Sequence, residues 1–146
     1  MADRSTFADT DVKAAAKGFY VIRDFAAGPR HGYVVAQGSS STFNLVKELK
    51  HLEETGVNVK VIAAVSEDLF DRQPEAYRHS VLPPEAYYDL MIVSTGTRRM
   101  WPVRDVGPLT DEYSLTSDWD NHWRTGGLEG EVIEEATSTR SRSLRG

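Results

Sequence analysis

The stretch from His31 to Val65 constrains the fold of this chain more than any other. Residues 31–36 form a β-branched and aromatic run that reads as a strand. After Gly38 and three serines, residues 42–55 place Leu45, Leu49 and Leu52 on one helical face with Val46 beside them. Lys47, Lys50 and Glu54 point elsewhere. A serine N-cap at the start and Gly56 just past the end are the expected punctuation. Residues 57–65 follow as a strand whose second half is continuously apolar, the pattern of a strand covered on both faces. Strand, helix and strand in so short a span make a βαβ unit with parallel strands and a right-handed crossover. A chain committed to that unit builds an α/β sheet with helices on its faces.

The flanking segments extend the unit. Gly18 opens residues 19–25, an aromatic and β-branched strand. The Gly28-Pro29 turn signal then predicts an antiparallel pairing of this strand with residues 31–36. Residues 66–70 read as a capped helical turn, and residues 74–81 as a short helix with Pro74 at its first position, ended by Leu82-Pro83-Pro84. Residues 89–93 are a further strand with Ser94, Thr95 and Gly96 at its tip. One more strand is possible around residues 101–106, and a brief helix at 129–136. The expected architecture is a three-layer α/β/α sandwich on a mainly parallel five-stranded mixed sheet with one antiparallel strand. Residues 1–17 are expected to be an N-terminal arm or linker, 18–136 the domain, and 137–146 a disordered basic tail.

Composition narrows the function. The 146 residues amount to one domain. They contain no cysteine, which excludes disulfides, thiolate metal sites and cysteine nucleophiles. No apolar run approaches the roughly 20 residues of a membrane span, and the polar N-terminus lacks a signal peptide's apolar centre, so a cytoplasmic location is expected. The net charge of −5 is unevenly spread: residues 1–50 carry +2, residues 51–136 carry −10 and the tail carries +3. An acidic body of this kind repels phosphate backbones, which disfavours nucleic-acid partners.

Ligands of open α/β sheets favour the carboxyl ends of the strands, here residues 37–42, 66–68 and 94–97. Gly38, Ser39, Ser40, Ser41 and Thr42 join a strand to a helix N-terminus. They are a candidate site for a phosphate or carboxylate, with simple capping as the duller alternative. Asp118, Asp120 and His122 have the chemistry of an oxygen-rich metal site but not a calcium hand's spacing; the plainer reading is a polar loop with Trp119 and Trp123 tucked onto the body. His31, His51, His79 and His122 are scattered, and no nucleophilic triad can be defended from them. Asp68 and Asp71 are expected in surface ion pairs with Arg72 and Arg78 rather than in an acid–base dyad. No catalytic residue and no metal site is assigned.

Two groups of residues carry a family resemblance. The first is Gly18, Phe19, Tyr20, Val21, Ile22, Arg23 and Asp24, with the strand ending Ala36-Gln37-Gly38-Ser39 and the Gly56–Val61 segment. The second, longer and more unusual, is Phe70, Asp71, Gln73, Ala76, Tyr77, Arg78, Ser80, Val81, Leu82 and Pro83. Together they resemble the third, C-terminal domain of transketolases. The resemblance covers about half the chain well and implies the same α/β/α sandwich. It also implies a non-catalytic role, in which thiamine diphosphate and magnesium are held by the other domains of a dimeric enzyme that transfers two-carbon ketol units. The third domain would extend the dimer interface and help shape the substrate entrance. No cofactor residue of the family has a position here, so none is expected in this chain. The family's valine–glutamate–alanine step and later phenylalanine–glycine run are replaced by Ile92-Val93-Ser94-Thr95-Gly96 and by residues 113–118, and the closing helix is shortened. The second half could therefore resemble the third domain of a ketoacid dehydrogenase-type subunit instead. Tyr87, Tyr88, Trp101, Trp119 and Trp123 are candidates for an apolar partner face, or for this chain's own core. A stand-alone small-anion binding module at Gly38–Thr42 and a metal hydrolase at Asp118–His122 are the alternatives to a transketolase-type subunit.

Overall fold

The computed structural model describes residues 12–96, 101, 107–116, 126–128 and 131. Residues 1–11 of the arm, Thr97, the possible strand at 101–106 apart from Trp101, the Asp118–His122 cluster with Trp119 and Trp123, the helix at 129–136 apart from Glu131, and the 137–146 tail lie outside the described residues.

Four strands form one sheet: β1 (Phe19–Arg23), β2 (Tyr33–Gln37), β3 (Lys60–Ala64) and β4 (Leu90–Ser94), in the order β1-β3-β2-β4. β2 runs parallel to both β3 and β4. Val35 stands opposite Ile62 on one side and Ile92 on the other, and none of the three is exposed. Burial of each side chain contributes about 1.5–3 kcal/mol. β1 is the antiparallel strand, as expected, but its neighbour is not. It pairs with β3, Phe19 opposite Ala64, and β3 separates it from β2. The hairpin reading fails because the connection from β1 to β2 is held away from a tight turn. Buried Asn58 donates through Nδ2 to the carbonyls of Ala26 and Pro29 (both 3.0 Å) and accepts from the Ala26 N–H (2.8 Å). His31 adds two bonds to Asn58, its N–H donating to the carbonyl and its Nδ1 accepting from the backbone N–H.

The sheet is covered on both faces. On one, α1 (Ser39–Glu54) packs Leu45, Leu49 and Leu52 against Val34, Val61 and Met91. The helix begins earlier than its apolar face suggests. Its N-cap is Gly38 with no side-chain cap bond, not a serine, because the positive φ of Gly38 (92°) turns the chain straight from β2 into the helix. It ends as expected: Gly56 N–H donates to the Glu53 carbonyl and Val57 N–H to the Leu52 carbonyl, a Schellman closure. On the other face, α2 (Glu67–Asp71), α3 (Glu75–Val81) and a 3₁₀ turn (Pro84–Tyr88) cover Phe19, Tyr33, Ile62 and Leu90. Pro74 is the N-cap of α3 rather than its first residue, since its ψ of 143° is extended. A further 3₁₀ turn (Val12–Lys17) lies against β1.

The fifth sheet position, beside β4, holds a single parallel bridge among the described residues. Leu115 N–H donates to the Ile92 carbonyl (2.8 Å) and Ser94 N–H to the Leu115 carbonyl (2.9 Å). It follows α4 (Pro108–Tyr113), which Gly107 introduces where the Tyr87 carbonyl leaves no room for a Cβ.

Candidate functional site

Two places collect the residues singled out from the sequence. The first is the carboxyl edge of the sheet, where the ends of β2 and β4 meet. The Ser94 hydroxyl donates to Gln37 Oε1 (2.9 Å) and accepts from the Gly96 N–H (2.9 Å). A Cβ on Gly38 would lie 3.1 Å from Thr95 Oγ1, so the loop from β4 closes over the start of α1. Within the 38–42 segment, Ser39 and Ser40 are exposed and Ser41 is buried. The Thr42 hydroxyl is committed to the Gly38 carbonyl (2.8 Å). The third strand end is used structurally: the Ser66 hydroxyl caps α2 by accepting from Leu69 N–H (3.4 Å), and its own N–H donates to the Gly18 carbonyl. Among the described residues the meeting ends of β2 and β4 offer amide and hydroxyl donors and no carboxylate or imidazole, a set suited to an anion rather than to acid–base chemistry. The nearest strand-end carboxylates, Glu67 and Asp68, follow β3. Among the described residues no group of three or more histidines, aspartates or glutamates could hold a metal ion.

The second place is the motif from Phe70 to Pro83. Phe70 stacks on Phe19 at 4.4 Å between centroids and meets Tyr77 edge-on at 6.4 Å. The Tyr77 hydroxyl donates to the Phe19 carbonyl (2.8 Å), and burial holds its pKa above the ordinary tyrosine value. Gln73 Nε2 donates to the Leu69 carbonyl, and the Ser80 hydroxyl to the Tyr77 carbonyl. Buried Lys60 reaches from β3 to the Ser80 carbonyl (2.6 Å) and to Asp24 (3.6 Å). Most of the motif is therefore a latch that fastens α2 and α3 to the sheet. Five of its members, Phe70, Asp71, Arg78, Leu82 and Pro83, line an open cleft of about 370 Å³.

Among the described residues no ion pair joins Asp68 to Arg72 or Arg78, while Asp71 has an interaction of its own. Exposed groups such as Asp68 and Arg72 gain little over hydration by pairing. His79 instead meets Glu75 at 3.7 Å, His51 is exposed on α1, and His31 belongs to the Asn58 clamp. Of the aromatic candidates, Trp101 is core beside Phe19, Tyr87 is half-buried and Tyr88 is 69% exposed. Sequence reasoning missed Asn58 and Lys60. Their alternation with Val57, Val59 and Val61 mimics a solvent-facing row, and only the apolar Ile62 and Ala64 further along the same row hint that the face is covered.

The transketolase-like TK C-terminal domain family matches residues 18–106. A transketolase of Aquifex aeolicus is 38% identical over 84 residues, covering 57% of this chain and 12% of that protein. A chloroplastic transketolase of Solanum tuberosum is 27% identical over 133 residues, covering 88% and 18%. Among solved structures, the transketolase from Leishmania mexicana superposes with a TM-score of 0.61 at 20% identity, covering 88% of this chain and 17% of its own. A Pichia stipitis transketolase solved with sedoheptulose 7-phosphate gives 0.56 at 22% identity, covering 92% and 19%. These two likenesses show the fold. The chain spans less than one fifth of the length of the proteins it matches.

Proposed function

Because this chain belongs to the transketolase-like C-terminal domain family, we propose that it serves as the non-catalytic third domain or subunit of a transketolase-like enzyme, supporting dimer assembly and the substrate channel while partner domains perform two-carbon ketol transfer between sugar phosphates. The observation that carries this reading is the family match across residues 18–106, which takes in the sheet and the whole Phe70–Pro83 latch. Thiamine diphosphate and magnesium belong to the partner domains in this reading. Among the described residues the meeting ends of β2 and β4 do not fit magnesium, which calls for free carboxylate or carbonyl oxygen ligands, since no carboxylate stands there and the Gln37 Oε1 is taken by the Ser94 hydroxyl. No chemical step is assigned to this chain. Among the described residues no helix is long and apolar enough to cross a membrane.

The test is affinity capture of the tagged chain from its source cells, followed by a ketol-transfer assay of the recovered complex. The expected result is a stoichiometric partner bearing thiamine-diphosphate-binding domains, whose transferase activity falls when this chain is stripped away. A monomer with no such partner, or a partner whose activity is indifferent to this chain, overturns the proposal. A stand-alone anion-binding module is the second reading. It is favoured by the absence of a side-chain cap on α1, which leaves first-turn N–H groups at the sheet edge. It predicts that millimolar inorganic phosphate raises the Tm of the isolated chain and that Gly38→Pro abolishes the rise.

A further inference from the structure

The cleft beside the Phe70–Pro83 latch is lined by a cation, Arg78, that forms no ion pair among the described residues. Arg78 projects from α3 into its wall, and its Nε is buried with no hydrogen-bond partner. Among the described residues no carboxylate forms an ion pair with the Arg78 guanidinium. Asp71 lines the same cleft but has a contact of its own, and His79 is turned to Glu75. A guanidinium that has no ion pair among the described residues attracts an anion into the cleft it lines, through a charge-assisted hydrogen bond.

The rest of the cleft is of another character. Phe70, Leu82 and Leu90 contribute apolar surface, and Pro83 and Tyr87 stand beside them. Tyr88 meets Tyr87 edge-to-face at 5.4 Å and is left 69% exposed. The volume, about 370 Å³, is at the scale of small-molecule sites and too small for a folded partner. We infer that this cleft is a binding site for a small organic anion, a carboxylate or phosphate ester with a flat apolar body, its anionic end on the Arg78 guanidinium and its body against Tyr87 and Tyr88. The lining is supplied by this chain's own residues.

Titration of the 146-residue chain with phenyl phosphate, benzoate, benzyl alcohol and inorganic phosphate, followed by calorimetry and by the Tm, tests it. Phenyl phosphate or benzoate is expected to bind saturably, and benzyl alcohol and inorganic phosphate each about tenfold or more weakly, since each lacks one half of the complement. Arg78→Met should lose about tenfold or more in affinity, and Arg78→Lys should recover only part, because an ammonium cannot offer the planar fork. Tyr88→Ala, at an exposed position, keeps the test open if the arginine variants fold poorly, and should weaken the aromatic anions but not inorganic phosphate. No saturable binding of either aromatic anion overturns the inference. So does binding that is indifferent to Arg78 and Tyr88, or inorganic phosphate binding as tightly as phenyl phosphate.

Discussion

Single residues hold this fold at points where no other side chain fits. Gly18 has a φ of 95°, and a Cβ there would run into the Ser66 carbonyl and the Phe70 N–H, just where α2 sits on the start of β1. Gly18→Ala combines backbone strain with a steric clash and should cost about 3 kcal/mol or more. Urea denaturation would read it as a large fall in midpoint with little change in slope; a midpoint within experimental error of wild type would contradict the packing described. Asn58 is the polar counterpart. Asn58→Ala leaves the Ala26 N–H and the Ala26 and Pro29 carbonyls without their partners, a loss of about 2 kcal/mol. Hydrogen exchange should show that loss locally, as faster exchange at Ala26. Unchanged exchange there would mean that the loop is held by something other than Asn58.

At the scale of elements, the βαβ unit was legible because its signals are local. Leu45, Leu49 and Leu52 recur with the helical period, Gly56 closes the helix, and residues 61–64 are uninterruptedly apolar. What escaped were pairings decided at a distance. The Gly28-Pro29 signal looks the same whether the strand before it turns back on β2 or crosses to β3. The choice lies in the register of Phe19 against Ala64 and in the Asn58 clamp, and neither can be seen in the segment itself. The candidate site was legible only in part for the same reason. The Phe70–Pro83 motif was conspicuous as a pattern, but its division into a latch and an open cleft depends on which side chains find partners. The layering yields a ranking of amide protection. Amides of β2 and β3, paired on both sides, should exchange slowest, and those of β1 and β4 faster, because among the described residues β1 lies at one margin and β4 has only the Leu115 bridge beyond it. Equal protection across all four strands would count against this order. Within α1, Leu49→Ala removes a buried contact with the Val34 and Val61 face and should cost about 2–4 kcal/mol in thermal or urea unfolding.

The molecule as a whole carries a predictable response to alkali. Tyr33 and Tyr77 both have pKa values raised above the usual 10, Tyr77 by burial and Tyr33 by burial first and then by the negative charge of Glu85. A tyrosine whose folded pKa lies above its unfolded value keeps its proton longer in the native state. Its contribution to stability is complete below about pH 10 and disappears as pH rises through the folded values. The free energy of unfolding should therefore decline above about pH 10, and Tyr77→Phe should flatten that decline while costing about 1 kcal/mol at neutral pH for the lost bond to Phe19. A variant that declines as steeply as wild type would place the alkaline sensitivity elsewhere. The position of β1 also governs how the chain is made. Among the described residues its only strand neighbour is β3, so a ribosome delivers the Phe19–Arg23 strand long before the surface it must join. Throughout the synthesis of β2, α1 and β3, the Phe19–Arg23 segment is a sticky end awaiting its place, and the newborn protein is most vulnerable to misassembly in that interval.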